Sequence, residues 1–501
     1  MPLRETGPGR RGWTRRETLR AAGAVAAAAV GGAVLGACGK TAVQGAVGSS
    51  SSAAGVLPVP TSGVVHLVFQ PNIQFIPWNP TTRTIYQQFV DQHFNTNPKY
   101  KGIWATIYPG GWGNASGQIV ASLAGSGYAD VFMMCCNDVP TMELSGIAAP
   151  LDELLKQDNI PKTLWSKGHI LADSRAGRLY GIPSYDGTLC IFYRQDLLDQ
   201  LGLAYPSPNW TAAEAQSVWE ACTGRNKNGT PRSGASFYWG SGVLPFWLAG
   251  WGASYMNAAQ DRATMNTPGG VGAVSYVADL FKSGAAMNGG QNTGLLPSGR
   301  VVFAMYHSAH VVDVGAHLLG SSYKWNLLPN PVWPRGRATF VTIDCYMLNA
   351  RTKHPQEAWT LMKWITGAGG DLAWPKFQIQ ISLVTPALVS LWKYWETTIV
   401  QVAPPLRGKA LHWFYDAAAK GYDYPTLYFN YNPLQADGLA NTWLNEITAG
   451  KVSAALGMKE MQDQINATEA AGKSEQVASA SATKLFPTVH NTPIATVQPG
   501  L

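Results

Sequence analysis

Charged residues are scarce in this chain of 501 residues, and their scarcity excludes several functions. Asp, Glu, Lys and Arg make up 13% of the sequence, about half of the usual quarter. The net charge of +7 comes largely from the first 37 residues, which hold six Arg and two acidic residues. No basic run follows, so a nucleic-acid partner is not expected. The apolar fraction of 46% is normal for a globular core and excludes wholesale disorder.

Cysteine is also sparse, with six residues in the chain. Five remain besides Cys38 and cannot all pair with one another, and the adjacent Cys135 and Cys136 follow an apolar run. This pattern favours buried free thiols, although one disulfide stays open. His307, His310 and Asp313 are spaced three apart and do not share one helix face, so neither a metal site nor a cofactor is predicted. Common hydrolase, metalloprotease and phosphate-loop motifs are absent from the sequence.

The N-terminus has the pattern of an export signal. The pair Arg15 and Arg16 precedes an apolar run, residues 21–35, which is short of the ~20 residues that span a bilayer. The run ends in Leu-Gly-Ala-Cys at Cys38, which resembles the bacterial lipobox, whose Cys is lipidated and becomes the new N-terminus. We therefore predict an export signal over 1–37 and a lipidated, flexible tether over 38–63. Thr18 stands where twin-arginine signals usually have a large apolar residue, so the export route stays open.

Lipidation at this position predicts a protein held at the extracytoplasmic face of the bacterial cell membrane. From residue 64, short apolar strands alternate with segments of helical periodicity, which indicates a parallel α/β lobe. A second set of such elements begins at Leu189, and Thr211 with Glu214 predicts a capping box at a helix start. The end of the chain, residues 471–501, is rich in Ser, Ala and Thr and is predicted to be a loose tail.

Several short motifs occur in an order that resembles bacterial extracellular solute-binding proteins, in the carbohydrate-binding group that includes maltodextrin-binding protein. The motifs are Gly125-Ser-Gly-Tyr-Ala-Asp-Val-Phe132, Gly146-Ile-Ala-Ala-Pro-Leu-Asp152, Tyr180-Gly-Ile-Pro183, Ser298-Gly-Arg-Val-Val-Phe-Ala-Met305 and Lys353-His-Pro-Gln-Glu-Ala-Trp359. The resemblance covers residues 64–468. It implies an α/β fold of the periplasmic-binding-protein-like II class, in which two discontinuous lobes are joined by a hinge.

The same resemblance predicts the lobe boundaries and the biological role. Lobe 1 is expected at 64–186 plus 343–405, and lobe 2 at 187–342 plus 406–470. A carbohydrate, in the first instance an oligosaccharide, would bind in the cleft between the lobes of a monomer and pass to a membrane permease of an ABC importer. No reaction is expected. The alternatives are a lipid-anchored glycosidase, which needs two carboxylates about 5–10 Å apart, such as Asp138 and Asp186, and a binding protein for a non-sugar solute.

A sugar site needs aromatic rings for apolar C–H faces and carboxylates or amides for hydroxyl groups. Strand ends and the resemblance together give the candidate ligand-binding residues Trp78, Trp112, Asn137, Asp138, Tyr185, Asp186, Trp247, Trp251, Tyr306, Asp344 and Tyr346. Some of these residues have a structural alternative, because Asp138 could cap a helix and Trp247 and Trp251 lie one helical turn apart, as core residues do. After Ala304-Met305 the family commonly has Gly and an aromatic residue, for which Tyr306 would substitute here.

Overall fold

The computed structural model describes residues 56–71, 80–108, 129–290 and 292–482. The chain divides after Thr41, and all described residues belong to the C-terminal unit, Ala42–Leu501. The predicted export signal, Cys38, Trp78 and Trp112 therefore lie outside the described residues.

Strands in the described ranges alternate with helices along most of the chain. The strands are β1 (Val65–Gln70), β2 (Ile103–Ile107), β3 (Val131–Cys135), β4 (Ser174–Arg175), β5 (Arg178–Leu179), β6 (Gly181–Arg194), β7 (Gly224–Arg225), β8 (Pro231–Phe237), β9 (Ala286–Asn288), β10 (Val301–His307), β11 (Trp325–Leu328), β12 (Val332–Trp333), β13 (Gly336–Arg337), β14 (Thr339–Leu348) and β15 (Asp423–Pro425). The α-helices are α1 (Pro80–Val90), α2 (Val139–Leu144), α3 (Asp152–Gln157), α4 (Lys167–Ala172), α5 (Gln195–Leu201), α6 (Ala212–Cys222), α7 (Leu244–Gly250), α8 (Pro268–Ser283), α9 (Pro355–Thr366), α10 (Ala373–Ser382), α11 (Trp392–Val402), α12 (Trp413–Lys420), α13 (Pro433–Thr448) and α14 (Ala454–Ala482). Wider π-helical turns cover Asp91–Asn95 and Val311–Leu319.

One large mixed sheet joins two sets of parallel strands. Its main path is β2-β1-β3-β14-β6-β10-β8-β7, with β9, β11 and β15 paired at its sides. The strands β1, β2 and β3 are parallel, as are β8, β9 and β10. Between the two sets, β14 runs antiparallel to β3 and to β6, and β6 runs antiparallel to β10. This arrangement agrees with the predicted α/β class.

The strands β6 and β14 connect the two sets. The first part of β6 pairs with β14, and its later part, residues 189–194, pairs with β10 and β11. Likewise, β14 pairs with β15 at Thr339–Val341 and with β3 at Asp344–Leu348. The family resemblance predicts that the chain crosses between the lobes near 185–188, near 340–344 and around 400–410. The first two segments lie within these two strands. Nearly all of β6 is buried, because helices and neighbouring strands cover both of its faces.

Aromatic side chains fill the core on both sides of the sheet. In the first strand set, Trp374 of α10 packs against Phe69 and Tyr86 at ring separations of 5.1 and 5.7 Å. In the second set, Trp219 of α6 packs at 4.8 Å from Phe237 and is fully buried. Edge-to-face pairs of this kind stabilise a core beyond the area they bury. The abundance of Trp and Phe in the sequence is therefore largely a property of this packing.

Several local predictions can be compared directly with the structure. The capping box is confirmed: the Thr211 hydroxyl accepts from the Glu214 amide, and the Glu214 carboxylate accepts from the Thr211 amide. The five cysteines of the described ranges are free thiols, as favoured. Helix α14 continues to Ala482, past residue 471, where the tail was predicted to begin. Across the described ranges, none of the helices has both the length and the hydropathy required for a membrane span.

Candidate functional site

The strand register shows where the two halves of the sheet face each other. The C-terminal end of β3, Cys135, is opposite Asp344 of β14, and Asp344 is in turn opposite Tyr185 of β6. The C-terminal end of β10, His307, is opposite Leu189 of β6. The C-terminal edges of both parallel sets therefore meet over residues 185–189 of β6. Ligands of α/β proteins bind at such edges.

The first edge carries two of the predicted residues. After β3, a short 3₁₀ turn, Cys136–Asp138, leads into α2, which has Pro140 in its first turn. Asn137 is exposed and Asp138 is half-buried. The Asp138 side chain makes no capping hydrogen bond to α2, so the helix does not use it as a cap. A carboxylate and an amide are thus presented side by side at this edge, while the stretches that follow β1 and β2 contain Trp78 and Trp112.

The second edge carries aromatic residues that sequence reasoning missed. Tyr238 and Trp239 come directly after β8, and Trp239 is 8% exposed. The Trp239 indole nitrogen is buried and has no hydrogen-bond partner in the described part of the chain. At the end of β10, the His307 Nδ1 lies 2.6 Å from the Gly187 carbonyl oxygen. The position of Tyr238 and Trp239 immediately after a strand was the available signal.

The imidazole of His307 is neutral. Burial lowers its pKa to about 3, against the opposing effect of the Gly187 carbonyl. A carbonyl oxygen only accepts hydrogen bonds, so the proton is on Nδ1 and the ring is fixed in one tautomer. The ring centroid of His307 is 5.4 Å from that of Tyr238 and 5.8 Å from that of Phe340. His307 therefore joins the second edge to the two crossing strands.

Four predicted aromatic residues lie behind the edges, in the core. Trp247 has no exposed surface, and its ring packs 5.0 Å from Trp333 and 5.6 Å from Phe237. Trp251 is half-buried and stacks on Trp333 at 5.2 Å. Tyr306 and Tyr346 are both 1% exposed. The Tyr306 hydroxyl donates to the Asn292 carbonyl at 2.8 Å, and the Tyr346 hydroxyl accepts from the Trp374 indole at 3.3 Å.

Three further predicted residues form the floor between the edges. Tyr185, Asp186 and Asp344 are 3%, 0% and 1% exposed. Burial, followed by the nearby charge of Asp344, raises the pKa of Tyr185 well above its usual value. Beside them, Gly187 leaves no space for a side chain, because an added Cβ would lie 2.6 Å from the Thr342 methyl group. The floor therefore consists of tightly packed backbone and of the buried carboxyl side chains of Asp186 and Asp344.

A separate polar cluster reaches this region from α13. The Ser241 hydroxyl donates to Asp437 at 2.5 Å, and the Asn441 amide donates to the Ser241 hydroxyl at 2.7 Å. Burial raises the pKa of Asp437, and the Ser241 hydrogen bond opposes the shift. Burial also raises the pKa of Tyr428, with further contributions from Asp437 and from the turn that contains Asp138. The charges of α13 and of the turn after β3 thus both act on Tyr428.

Five of the nine predicted residues that lie in the described ranges are therefore brought to one region, at different depths. Asn137 and Asp138 are at the first edge, and Tyr185, Asp186 and Asp344 form the buried floor, whereas Trp247 and Trp251 lie in the core of the second strand set. A cavity of about 20 Å³, the size for one water, adjoins Tyr185 and Tyr346 inside the first set and is too small for a solute. Within the described ranges, no three His, Cys, Asp or Glu side chains are grouped as metal ligands.

Comparison with known families decides what kind of protein this is. The model of the bacterial extracellular solute-binding protein family matches residues 79–371, which is more than half of the chain. The chain belongs to this family. The resemblance predicted from the sequence is therefore confirmed. Members of this family are binding proteins.

Individual relatives of this solute-binding protein are distant. A binding protein of Brucella abortus is 21% identical over 232 residues, which is 44% of this chain and 54% of that protein. The chain thus spans about half the length of the curated relatives it matches. The structure is similar to the cyclic alpha-maltosyl-1,6-maltose binding protein of Arthrobacter globiformis, with a TM-score of 0.63, 18% identity, and coverage of 81% of this chain and 99% of that one.

A similar structure with a different ligand is also known. UgpB from Mycobacterium tuberculosis, in complex with glycerophosphocholine, has a TM-score of 0.59, 14% identity, and coverage of 81% of this chain and 98% of that one. At such low identities the similarity shows the fold alone. The two-lobe α/β architecture expected from the sequence is confirmed by these comparisons.

Proposed function

We propose that this solute-binding protein is the substrate-binding component of an ABC importer and captures a carbohydrate, in the first instance an oligosaccharide, between its lobes. The observation that carries the proposal is the meeting of two strand edges over residues 185–189, since a ligand there contacts both lobes at once. Such a ligand favours the closed arrangement of the lobes. The loaded, closed form would then deliver the ligand to a membrane permease.

The chemistry of the edges supports a polar, uncharged ligand. One edge presents Asn137 and Asp138. The other carries the half-buried Tyr238 and next to it Trp239, which is 8% exposed and packs 6.1 Å from Trp247. Amide and carboxylate groups bind hydroxyl groups, and flat rings pack against the C–H faces of a sugar. Arg175 lies next to Tyr428, but its guanidinium already donates to the backbone carbonyls of residues 428–430 at 2.7–3.2 Å. A ligand that needs a free cation, such as a phosphate, is therefore less favoured.

The depth of each candidate suggests its role. We propose direct ligand contacts for Asn137, Asp138 and Trp239, with Trp78 and Trp112 as further platforms. Tyr185, Asp186 and Asp344 would shape the floor. Four of the predicted residues would support the site from the core: Trp247, Trp251, Tyr306 and Tyr346. Direct contact of these four with a ligand stays a prediction, and it requires rearrangement of the packing around them.

A thermal-shift screen of the mature protein against a sugar panel tests the function. A specific sugar should raise the unfolding midpoint in proportion to the logarithm of its concentration above Kd. A reducing-sugar assay on the same samples tests the glycosidase alternative. Midpoints that no sugar changes would contradict the carbohydrate proposal, and sugar cleavage would contradict the binding-protein proposal.

A non-sugar solute is the second candidate, and the similar fold of UgpB favours keeping it. Glycerophosphocholine should therefore be one arm of the same screen. The glycosidase alternative has less support, because Asp186 is fully buried and its Oδ1 accepts from the amide and hydroxyl of Thr188 at 2.9 and 2.5 Å. A carboxylate held in this way is not placed to attack a substrate.

We also propose that Cys38 is lipidated and anchors the protein at the extracytoplasmic face of the cell membrane as a monomer. The support is the order of the twin arginines, the apolar run and the lipobox-like Leu35-Gly-Ala-Cys38. Cys38→Ser should release the protein into the medium, measured by fractionation and immunoblotting. Membrane retention of Cys38→Ser after a high-salt wash would contradict the anchor.

A further inference from the structure

A buried cluster of ionisable groups lies where β6 passes between the two strand sets. His169 of α4 and Asp186 of β6 have no exposed surface, and Asp423 of β15 is 6% exposed. The His169 Nε2 is 3.6 Å from the Asp186 Oδ1, which is an ion-pair distance when the ring carries a proton. The Ser166 hydroxyl donates to Asp423 at 2.6 Å. Two carboxylates and one imidazole thus share one interior space.

The cluster is incompletely hydrogen-bonded. In the described part of the chain, neither ring nitrogen of His169 has a hydrogen-bond partner, nor does the Asp186 Oδ2. An unpaired polar group in such a place costs free energy, and a shared proton is a direct way to reduce that cost. Gly168 shows how closely α4 approaches β15, because an added Cβ there would collide with the Asp423 carboxylate.

In the described part of the chain, no Lys or Arg forms an ion pair with Asp186 or Asp423. Burial raises the pKa of Asp423, Ser166 and His169 oppose the shift, and Asp186 adds to it. Asp173 directly follows α4. Burial and the charges of Cys136 and Asp344 raise its pKa, whereas its hydrogen bond with Cys345 lowers it. The elements packed against α4 and β15 carry further ionisable residues: Tyr185 and Cys190 of β6, Asp344 and Cys345 of β14, Tyr424 of β15, the exposed Lys167 of α4, and Arg175 of β4. The guanidinium of Arg175 donates to the backbone carbonyls of residues 428–430, and the buried His307 of β10 adjoins Gly187. The acids therefore outnumber the groups able to balance them.

The contacts of this cluster join the two proposed lobes. With the boundaries given above, Ser166, His169 and Asp186 belong to lobe 1, and Asp423 belongs to lobe 2. A rotation of the lobes about β6 and β14 would change the distance between α4 and β15. It would also change how strongly the cluster holds a proton.

We propose that His169, Asp186 and Asp423 form a proton-dependent joint between the lobes, whose proton uptake stabilises the arrangement of α4 on β15 seen here. Asp186 and Asp423 lie on opposite sides of this contact, and burial raises the pKa of Asp423. A proton on Asp423 therefore removes a negative charge that would otherwise repel Asp186. The conformer that binds the proton more tightly gains population as pH falls. The open–closed balance of the lobes therefore depends on pH without any ligand.

The test is a spin-label distance measurement on the ligand-free mature chain carrying Cys38→Ser and Cys135→Ser. Labels are attached at Lys156→Cys on α3 and Lys282→Cys on α8, both exposed positions on different proposed lobes. Double electron–electron resonance gives the populations of lobe arrangements at about pH 8 and about pH 5. We expect their ratio to change at least roughly threefold, within the tenfold per pH unit that one proton allows.

Two variants assign the effect to the cluster. Asp423→Asn keeps the size of the side chain and removes its charge, and His169→Gln removes the imidazole. Glu220→Gln, on the exposed face of α6, is the matched control and should keep the full pH dependence. Loss of the dependence in either cluster variant, with native circular dichroism, supports the proposal. A distance distribution that is independent of pH in the reference chain, or a dependence retained in both variants, overturns it.

Discussion

Replacement of Trp247 by Ala separates a core role from a ligand-contact role for this residue. The ring has no exposed surface and packs between Phe237, Phe246 and Trp333. Its indole nitrogen donates to the Tyr238 carbonyl at 3.4 Å. Since α7 is held by these same rings, the helix cannot move in to fill the space, and the substitution should leave a cavity.

The expected loss follows from the buried area. A fully buried Trp removes on the order of 250 Å² from water, or about 6 kcal/mol at about 25 cal/mol per Å². Ala retains part of this contribution, so we expect a loss of about 3–5 kcal/mol in the free energy of unfolding, as for other large-to-small core substitutions. In a lobe of this size, that corresponds to a fall in Tm on the order of 10 °C.

Differential scanning calorimetry of the ligand-free mature protein measures this loss. Trp413→Ala is the matched control, because that Trp is half-buried on α12 and its ring contact in the described ranges is a tilted one with His412 at 4.3 Å. The control should lower Tm by no more than about 3 °C. If Trp247→Ala left Tm within that range and instead abolished ligand binding, the ring would belong to the site, and our account of the core would be wrong.

Three other substitutions or measurements test the site and the floor. Trp239→Ala should weaken ligand binding by about 10- to 100-fold in a calorimetric titration, as expected for a stacked ring, and unchanged affinity would remove Trp239 from the site. Gly187→Ala should lower the free energy of unfolding by about 1–3 kcal/mol in urea denaturation, because its Cβ would press on Thr342; an unchanged midpoint would show that the floor can adapt. Thiol titration of the denatured Cys38→Ser chain without reductant should find all five remaining cysteines, and a value lower by two would reveal a disulfide.

Local sequence patterns were sufficient to predict several elements of the fold. The Thr211 and Glu214 capping box depends on neighbouring residues, and so does the helix predicted to open at Pro355 and to end at Gly367, where φ is 72°. The sequence also predicts strands at Val64–Phe69 and Phe340–Leu348, each within one residue of the observed β1 and β14. Such features are encoded over a few positions, so their prediction does not require knowledge of tertiary contacts.

The depth of a side chain could not be predicted in the same way. Trp247 and Trp251 lie one turn apart, a spacing that fits both a core stripe and a ligand platform. Only the position of α7 against Phe237 and Trp333 shows that Trp247 is enclosed. Tyr238 and Trp239 were missed because β8 has a weak strand pattern, with Pro231 and Gly234 inside it. Gly234 is required there, since an added Cβ would collide with the Trp219 carbonyl.

The cluster of His169, Asp186 and Asp423 could not be predicted from the sequence, because its members are far apart in the chain. Ser166 and Asp423 are separated by 257 positions, yet their side chains are hydrogen-bonded. Asp186 was predicted to be a ligand residue because it follows Tyr185 at a crossing, which is where it lies. The sequence did not show that α4 and β15 close over it and exclude water.

The floor of the cleft and the proton cluster share β6, and this connects ligand binding to pH. Asp186 donates its amide to the Thr385 carbonyl, and its own carbonyl accepts from Ser308, so its backbone is fixed to both sides of the crossing. If closure on a ligand alters the contact between α4 and β15, the ligand must change proton affinity by the same factor by which a proton changes ligand affinity. Binding should therefore take up or release a fraction of a proton, seen as a binding enthalpy that differs between buffers of different ionisation enthalpy. Asp423→Asn should make the enthalpy the same in both buffers, and a difference that persists in this variant would place the proton elsewhere.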